Sequence, residues 1–236
     1  MHEMLRAVVF DLDGTISVLT LPLEKMRQET KAHLVRRGLP PSILDPADGI
    51  TSSLVKAKSY FLSVGASAEE WARISCEINE MLDGYERSAA SEATLIDGSL
   101  EAVDRIRGLG LKTAILTNSG RNAVRIIMQR IPLHRHFDLI CTRTESPSPK
   151  PFPGGILDVL SRLRVHPAEA IYVGDARIDA AAASRAGVTF WGVSTGETSS
   201  DTLVSCGAAR VFRSLSEVAD AVEAALMSEH KSSASP

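Results

Sequence analysis

Cysteine is scarce in this chain. Its three copies, Cys76, Cys141 and Cys206, are far apart, odd in number and never in a Cys-x-x-Cys pair. No paired redox or thiolate-metal motif is therefore present. Cys141 ends the apolar run Phe137–Cys141 and is expected to be a buried core thiol. His134 and His136 flank Arg135 with no third ligand nearby, which favours a structural or solvated role over zinc. An excess of basic residues is also missing. With 26 Lys+Arg against 29 Asp+Glu the net charge is -3, which argues against nonspecific nucleic-acid binding. No apolar run is long enough to cross a bilayer, and Met1–Arg6 has no apolar signal region. A soluble cytoplasmic protein without a membrane partner is the expectation. The prolines at 147, 149, 151 and 153 never fall into Pro-x-x-Pro spacing, so an SH3 ligand is set aside. No internal repeat occurs, and nothing specifies an oligomeric state.

What is present reads as an ordinary globular composition, 44% hydrophobic and 23% charged over 236 residues. That length suits one α/β domain with a large insertion, or two small domains. Strands are expected at Ala7–Phe10, Lys112–Leu116, Asp138–Cys141, Ala170–Val173, Thr189–Val193 and Arg210–Phe212. Between them, apolar spacings of three and four mark helices through Leu100–Leu109, Val124–Ile131, Ile156–Leu163 and Ala180–Ala186. Alternation of this kind implies βαβ crossovers and a parallel sheet. The stretch 17–95 breaks the rhythm with three helical patterns: Leu23–Leu34, Ile50–Val64 and Trp71–Tyr85, the last opened by a Ser67–Glu70 capping box. The expected organisation is an α/β core at 1–16 and 96–228, an all-helical cap at 17–95 that can close over the strand ends, and a frayed tail at 229–236.

Four short stretches carry the chemistry: Asp11-Leu12-Asp13-Gly14-Thr15, Leu116-Thr117-Asn118-Ser119, Lys150 in a proline-rich turn, and Gly174-Asp175-Ala176-Arg177-Ile178-Asp179. The first, second and fourth each directly follow a strand candidate, and ligands of open α/β sheets bind beyond the carboxyl ends of strands. A carboxylate such as Asp11 can attack phosphorus, and its neighbour Asp13 can protonate a leaving alcohol and later deprotonate a water. With Asp175 and Asp179 at the same edge, so much negative charge calls for a hard cation, and oxygen-only ligands beside a phosphate favour Mg²⁺. Thr117 and Asn118, expected to end a strand and start a helix, suit phosphate oxygens. Lys150 supplies a positive charge for the transition state. Arg27, Lys56, Lys58 and Arg87 are read as ordinary solvated helix charges, and Trp71 and Tyr85 as core of the helical segment.

On these four motifs, in order from Phe10 to Asp179, the chain resembles the haloacid dehalogenase superfamily, with the helical insertion placed as in phosphoglycolate phosphatases. The resemblance implies a Rossmann-like, doubly wound parallel sheet core with an inserted helical cap, and a Mg²⁺-dependent phosphatase of small phosphorylated metabolites, phosphoglycolate-like phosphomonoesters foremost. It implies Asp11 as nucleophile and Asp13 as acid/base. Mg²⁺ would be held by the Asp11 carboxylate, the Asp13 backbone carbonyl and Asp175, with Asp179 a ligand or supporting residue. Thr117, Asn118 and Lys150 would grip the phosphoryl group. Asp13 argues against carbon–halogen cleavage, since the namesake dehalogenases lack that second acid, and Thr15 favours a phosphatase over a mutase. Ile16-Ser17-Val18-Leu19 and Phe152 depart from the usual pattern. A phosphomutase, a phosphonate hydrolase using a Schiff-base lysine, and a non-catalytic phosphate-binding module stay open as alternatives.

Overall fold

The structure, a computed structural model, describes residues 4–233, with side chains described as far as Ser228. Its centre is a six-stranded parallel sheet in the order β5-β4-β1-β6-β7-β8. The strands are β1 (Ala7–Phe10), β4 (Lys112–Leu116), β5 (Leu139–Cys141), β6 (Ala170–Gly174), β7 (Thr189–Val193) and β8 (Arg210–Phe212). Every residue of β1 and β6 is buried. That is why those strands read as unbroken apolar runs rather than alternations: helices cover both faces. Ala7 and Val9 share a core with α6 (Gly154–Leu163), α7 (Arg177–Ala186) and α8 (Ser200–Ser205). Phe10, at another pleat position, meets the Phe137 ring edge-on at 6.0 Å. The chain also supplies α4 (Ser99–Gly108), α5 (Arg121–Arg130) and α9 (Leu215–Ser233), with α4 packed on α9. This is a Rossmann-like α/β fold. From β1 the chain goes to β4 and β5 on one side, then to β6, β7 and β8 on the other. The direction of winding therefore reverses at β1, the place where such sheets bind ligands.

The chain divides into two units, one from the N-terminus to Leu19 together with Glu92 onward, the other Thr20–Ser91. A short ribbon, β2 (Ser17–Val18) antiparallel to β3 (Thr94–Leu95), belongs to the sheet-bearing unit. Residues 17–19 and 92–95 thus group with the sheet although the helical segment was expected to include them. Backbone pairing across that ribbon, continued by Ile96 N donating to Ile16 O at 3.0 Å, ties the outgoing and returning chain together.

The helical unit contains α1 (Leu23–Arg36), α2 (Ile50–Ser63) and α3 (Ala68–Ala90). Met26, Leu34, Ala57, Phe61, Ile74, Ile78 and Leu82 make its core, with Trp71 and Tyr85 packed partly buried against it. The Ser67–Glu70 capping box is formed in both directions, at 2.7 and 3.1 Å. Val64, expected on the apolar stripe, lies past the end of α2 and is 60% exposed. Lys56 is paired with Asp48 at 2.6 Å, Arg87 with Asp83 at 3.2 Å and Arg27 with Glu24 at 3.9 Å, while Lys58 is exposed.

The carboxy-terminal expectation needs correction. Helix α9 continues through 229–233, where a frayed tail was expected; residues 234–236 lie outside the described residues. Leu215, Val218, Ala219 and Val222 are buried at helical spacing, and adding turns to a packed helix through Ala224, Ala225, Leu226 and Met227 is far cheaper than nucleating one. Among the described residues no helix is long and apolar enough to cross a membrane.

Candidate active site

The first site residue is placed by the sheet itself. Asp11 N donates to Val173 O at 2.9 Å, extending the β1–β6 ladder by one residue, so the Asp11 side chain leaves from the strand end at the switch point. The chain then turns sharply, with Gly14 N donating to Ser17 O at 2.7 Å. Gly14 is required twice over. Its φ is +77°, and a Cβ there would lie 2.5 Å from Asp175 Oδ2.

Asp175 follows β6 directly, and Asp179 sits in the first turn of α7, where its Oδ2 accepts from Ala176 N at 3.0 Å. Small residues let α7 lie close to the sheet: Ala180, Ala182, Ala183 and Ala186 are buried. Gly174 admits Asp179, since a Cβ on it would fall 2.5 Å from Asp179 Oδ2. Gly196, in the loop after β7, admits Asp175 even more narrowly, with a Cβ-to-Oδ2 distance of 1.8 Å. Asp175 is held further by Thr15 Oγ1 at 3.3 Å and by Glu197 N at 3.2 Å, and Thr195 Oγ1 donates to Gly14 O at 2.6 Å. Replacing Gly196 with alanine should therefore push Asp175 out of place. Overpacking of this kind costs about 1–3 kcal/mol, to be read as a lowered melting temperature; an unchanged Tm would contradict this placement of Asp175.

Asp11, Asp175 and Asp179, all buried, bring carboxylate oxygens within 4.8 Å of one another. Lys150, 1% exposed, inserts its ammonium between two of them, 2.7 Å from Asp11 Oδ1 and 2.6 Å from Asp179 Oδ1. The Asp179 contact is a hydrogen bond; Asp11 Oδ1 is buried without a well-directed hydrogen bond and has only the ammonium's proximity. One lysine cannot balance three acids. At that separation, with an effective dielectric near 20, each like-charged pair repels by about 3–4 kcal/mol. The carboxyls respond. Burial, with Asp179 and Asp175 nearby, drives Asp11 well above the ordinary range against the pull of Lys150. Burial and Asp179 push Asp175 up to about 7. Burial alone would lower Lys150, yet the Asp11 and Asp179 carboxylates raise it well above its usual value, so it is a fixed cation.

Asp13 is set apart from this triad. Its Oδ1 accepts from Leu19 N at 2.7 Å, and burial, aided by the Glu197 carboxylate, pushes it up to about 6. A carboxyl that gains and loses its proton near neutrality suits acid/base work. The donor set of the triad, oxygen only and excess in negative charge with one under-bonded buried oxygen, fits a hard divalent cation.

Thr117 and Asn118 depart from expectation. They do not start a helix: α5 begins at Arg121 with Gly120 as its N-cap, and both residues lie in the preceding loop. Thr117 N still pairs with Cys141 O at 3.0 Å, and Thr117 Oγ1 accepts from Ser119 N at 3.0 Å, which curls the chain before the helix can begin. Asn118 turns its carboxamide onto the backbone of Lys150, with both bonds at 2.9 Å.

Sequence reasoning missed Tyr172 in β6. Its buried hydroxyl lies 3.1 Å from Leu116 O and 3.4 Å from Asp179 Oδ1, and Lys150 Nζ stands 5.6 Å from its ring centroid. The available signal was a phenol inside a strand buried on both faces, which must find a polar partner. Arg143, also missed, donates to Asn118 O at 2.7 Å.

Comparison with known proteins agrees with this architecture. Residues 8–193 match the family model described as haloacid dehalogenase-like hydrolase. A phosphoglycolate phosphatase of Chromobacterium violaceum is 29% identical over 223 residues, covering 92% of this chain and 96% of that protein. A phosphoglycolate phosphatase of Xanthomonas campestris pv. campestris is 28% identical over 196 residues, covering 81% and 86%. By structure, a hydrolase from Pseudomonas syringae superposes with a TM-score of 0.63 at 21% identity, covering 93% of this chain and 98% of that one. A strand-end acid triad around a buried lysine, on a sheet of this order and within a family match of this extent, identifies the chain as a member of the haloacid dehalogenase-like hydrolases.

Proposed function

We propose that this hydrolase is a Mg²⁺-dependent phosphatase of small phosphorylated metabolites, phosphoglycolate-like phosphomonoesters first among them, working through an aspartyl-phosphate. The observation that carries the reading is the under-bonded Asp11 Oδ1 at the sheet's switch point, 2.7 Å from the Lys150 ammonium and within 4.8 Å of the Asp175 and Asp179 oxygens. The relatives' names support the substrate class.

In this reading a carboxylate oxygen of Asp11 attacks phosphorus as the bond from phosphorus to the ester oxygen breaks. Asp13 gives its proton to the departing alkoxide, releasing an alcohol. Asp13, now a carboxylate, takes a proton from a water that attacks the same phosphorus. The acyl-phosphate bond breaks, inorganic phosphate leaves, and Asp11 and Asp13 return to their starting states. Lys150 stabilises charge on the phosphoryl oxygens, and the Thr117 hydroxyl and Asn118 lie at the same edge of the sheet. Asp11, Asp175 and the backbone carbonyl of Asp13 would hold Mg²⁺, with Asp179 behind them; bound there, the ion neutralises the acids and the substrate dianion.

Two measurements test this. Phosphate release from 2-phosphoglycolate, p-nitrophenyl phosphate and a panel of sugar phosphates should require Mg²⁺ and stop with EDTA; chelator-insensitive turnover, or none on any monoester, would overturn the reading. Mg²⁺ should also stabilise the fold without substrate. At about a hundred times its dissociation constant a ligand adds about 2.7 kcal/mol, which for a chain this long raises Tm by roughly 5–10 °C. An unchanged melting curve would show that the triad does not take up the ion.

A further inference from the structure

We propose that Asn118 is a positioning residue acting through Lys150: its carboxamide fixes the lysine's backbone so that the ammonium reaches Asp11, and its side chain does not itself bind phosphate. The inference rests on the phosphatase reading. Asn118 Nδ2 donates to Lys150 O at 2.9 Å, and Lys150 N donates to Asn118 Oδ1 at 2.9 Å, joining residues 32 positions apart. This two-bond pairing of a carboxamide with a peptide unit occupies the acceptor oxygen and one of the two N–H groups. The Asn118 main chain is anchored in turn, because Arg143 Nη1 donates to Asn118 O at 2.7 Å and Arg143 N to Ser119 O at 3.0 Å. The end of β4 thereby sets the height of the 149–153 turn.

Lysine needs such a device. Its ammonium sits at the end of a four-carbon stem, and here it must meet two carboxylates at 2.7 and 2.6 Å while 1% exposed. Any slip of the Lys150 backbone is carried to the ammonium. Asn118→Ala removes both bonds while leaving Thr117 and the loop N–H groups. Asn118→Asp keeps an acceptor for Lys150 N but sets a carboxylate against Lys150 O.

The test compares wild type, Asn118→Ala, Asn118→Asp, Lys150→Met and the Asn118→Ala/Lys150→Met double variant on p-nitrophenyl phosphate with Mg²⁺. It adds backbone amide exchange at Lys150 and inhibition by inorganic phosphate. Asn118→Ala should lower kcat on the order of 10²-fold, the scale of a misplaced catalytic group, with KM changed far less, and Asn118→Asp should fall between it and wild type. Protection of the Lys150 amide should be lost in Asn118→Ala and kept in β1 and β6. Residues acting through one another are not additive, so the double variant should be within about threefold of Lys150→Met. Four results would each overturn the proposal: full kcat in Asn118→Ala, retained protection at Lys150, effects that multiply in the double variant, or weakened phosphate inhibition with kcat intact. The exchange measurement needs only Asn118→Ala, so it decides even where Lys150→Met does not fold. A wild-type protein without turnover would count against the phosphatase reading, whereas an active wild type with an equally active Asn118→Ala counts against this inference alone.

Discussion

Lys150→Met is expected to lower the stability of the metal-free protein by about 3–5 kcal/mol, because removing one partner of a buried ion pair strands the others. For a chain of this length that is a fall in Tm of roughly 10 °C or more. Lys150 is the cation that both Asp11 and Asp179 touch, at 2.7 and 2.6 Å, and methionine keeps most of its volume while deleting that charge. Turnover should fall as well, by about 10²–10³-fold, the usual loss when one preorganised electrostatic group is removed. The control is charge balance. Adding Asp179→Asn to Lys150→Met should recover part of the Tm and none of the rate, since it relieves the stranded acid without replacing the ammonium. Differential scanning calorimetry in EDTA, with parallel hydrolysis assays, reads both effects. A Tm unmoved by Lys150→Met would mean that the lysine is not the counter-ion of this cluster.

Asp11→Asn should act in the opposite way on stability and far more severely on rate. The amide matches the carboxylate in shape but cannot form the acyl phosphate, so hydrolysis should drop by at least about 10⁴-fold, as when a nucleophile is deleted elsewhere. Tm in EDTA should hold or rise. Burial and the neighbouring Asp179 and Asp175 already push the Asp11 carboxyl up, so a neutral group there relieves repulsion, and Lys150 keeps its bond to Asp179. Rate and melting temperature thus move apart, which ordinary misfolding would not produce. Undiminished hydrolysis in Asp11→Asn would remove the nucleophile from the mechanism, and a large loss of Tm would mean that the acid is structural.

Much of the fold was legible because its strands are parallel and covered on both faces. Burial on both sides turns β1, β4 and β6 into short apolar blocks, and each acid or polar motif begins where its block stops. Helix ends were harder to read. Thr117 and Asn118 looked like the start of α5, yet the curl from Ser119 N to Thr117 Oγ1 delays the helix to Arg121. The tail was expected to fray by its polarity, whereas α9 is carried on by the buried turns before it. Local composition sets a propensity, and the packed neighbour sets where it stops.

The chain's own letters determined the strands, their parallel succession and the stretches that end at the sheet's carboxyl edge, because burial periodicity and strand-end placement are local properties, whereas the order of the strands is not. Only the tertiary structure decided which of their groups meet. It showed Asn118 spent on the backbone of Lys150, Asp13 held apart by Leu19, Tyr172 beneath the lysine, and three glycines each leaving room for an acid. Those are contacts between residues as much as 181 positions apart, as in the Thr195–Gly14 bond. Hydrogen bonds and ion pairs form only between atoms a few ångströms apart, and that proximity exists only once the chain has folded.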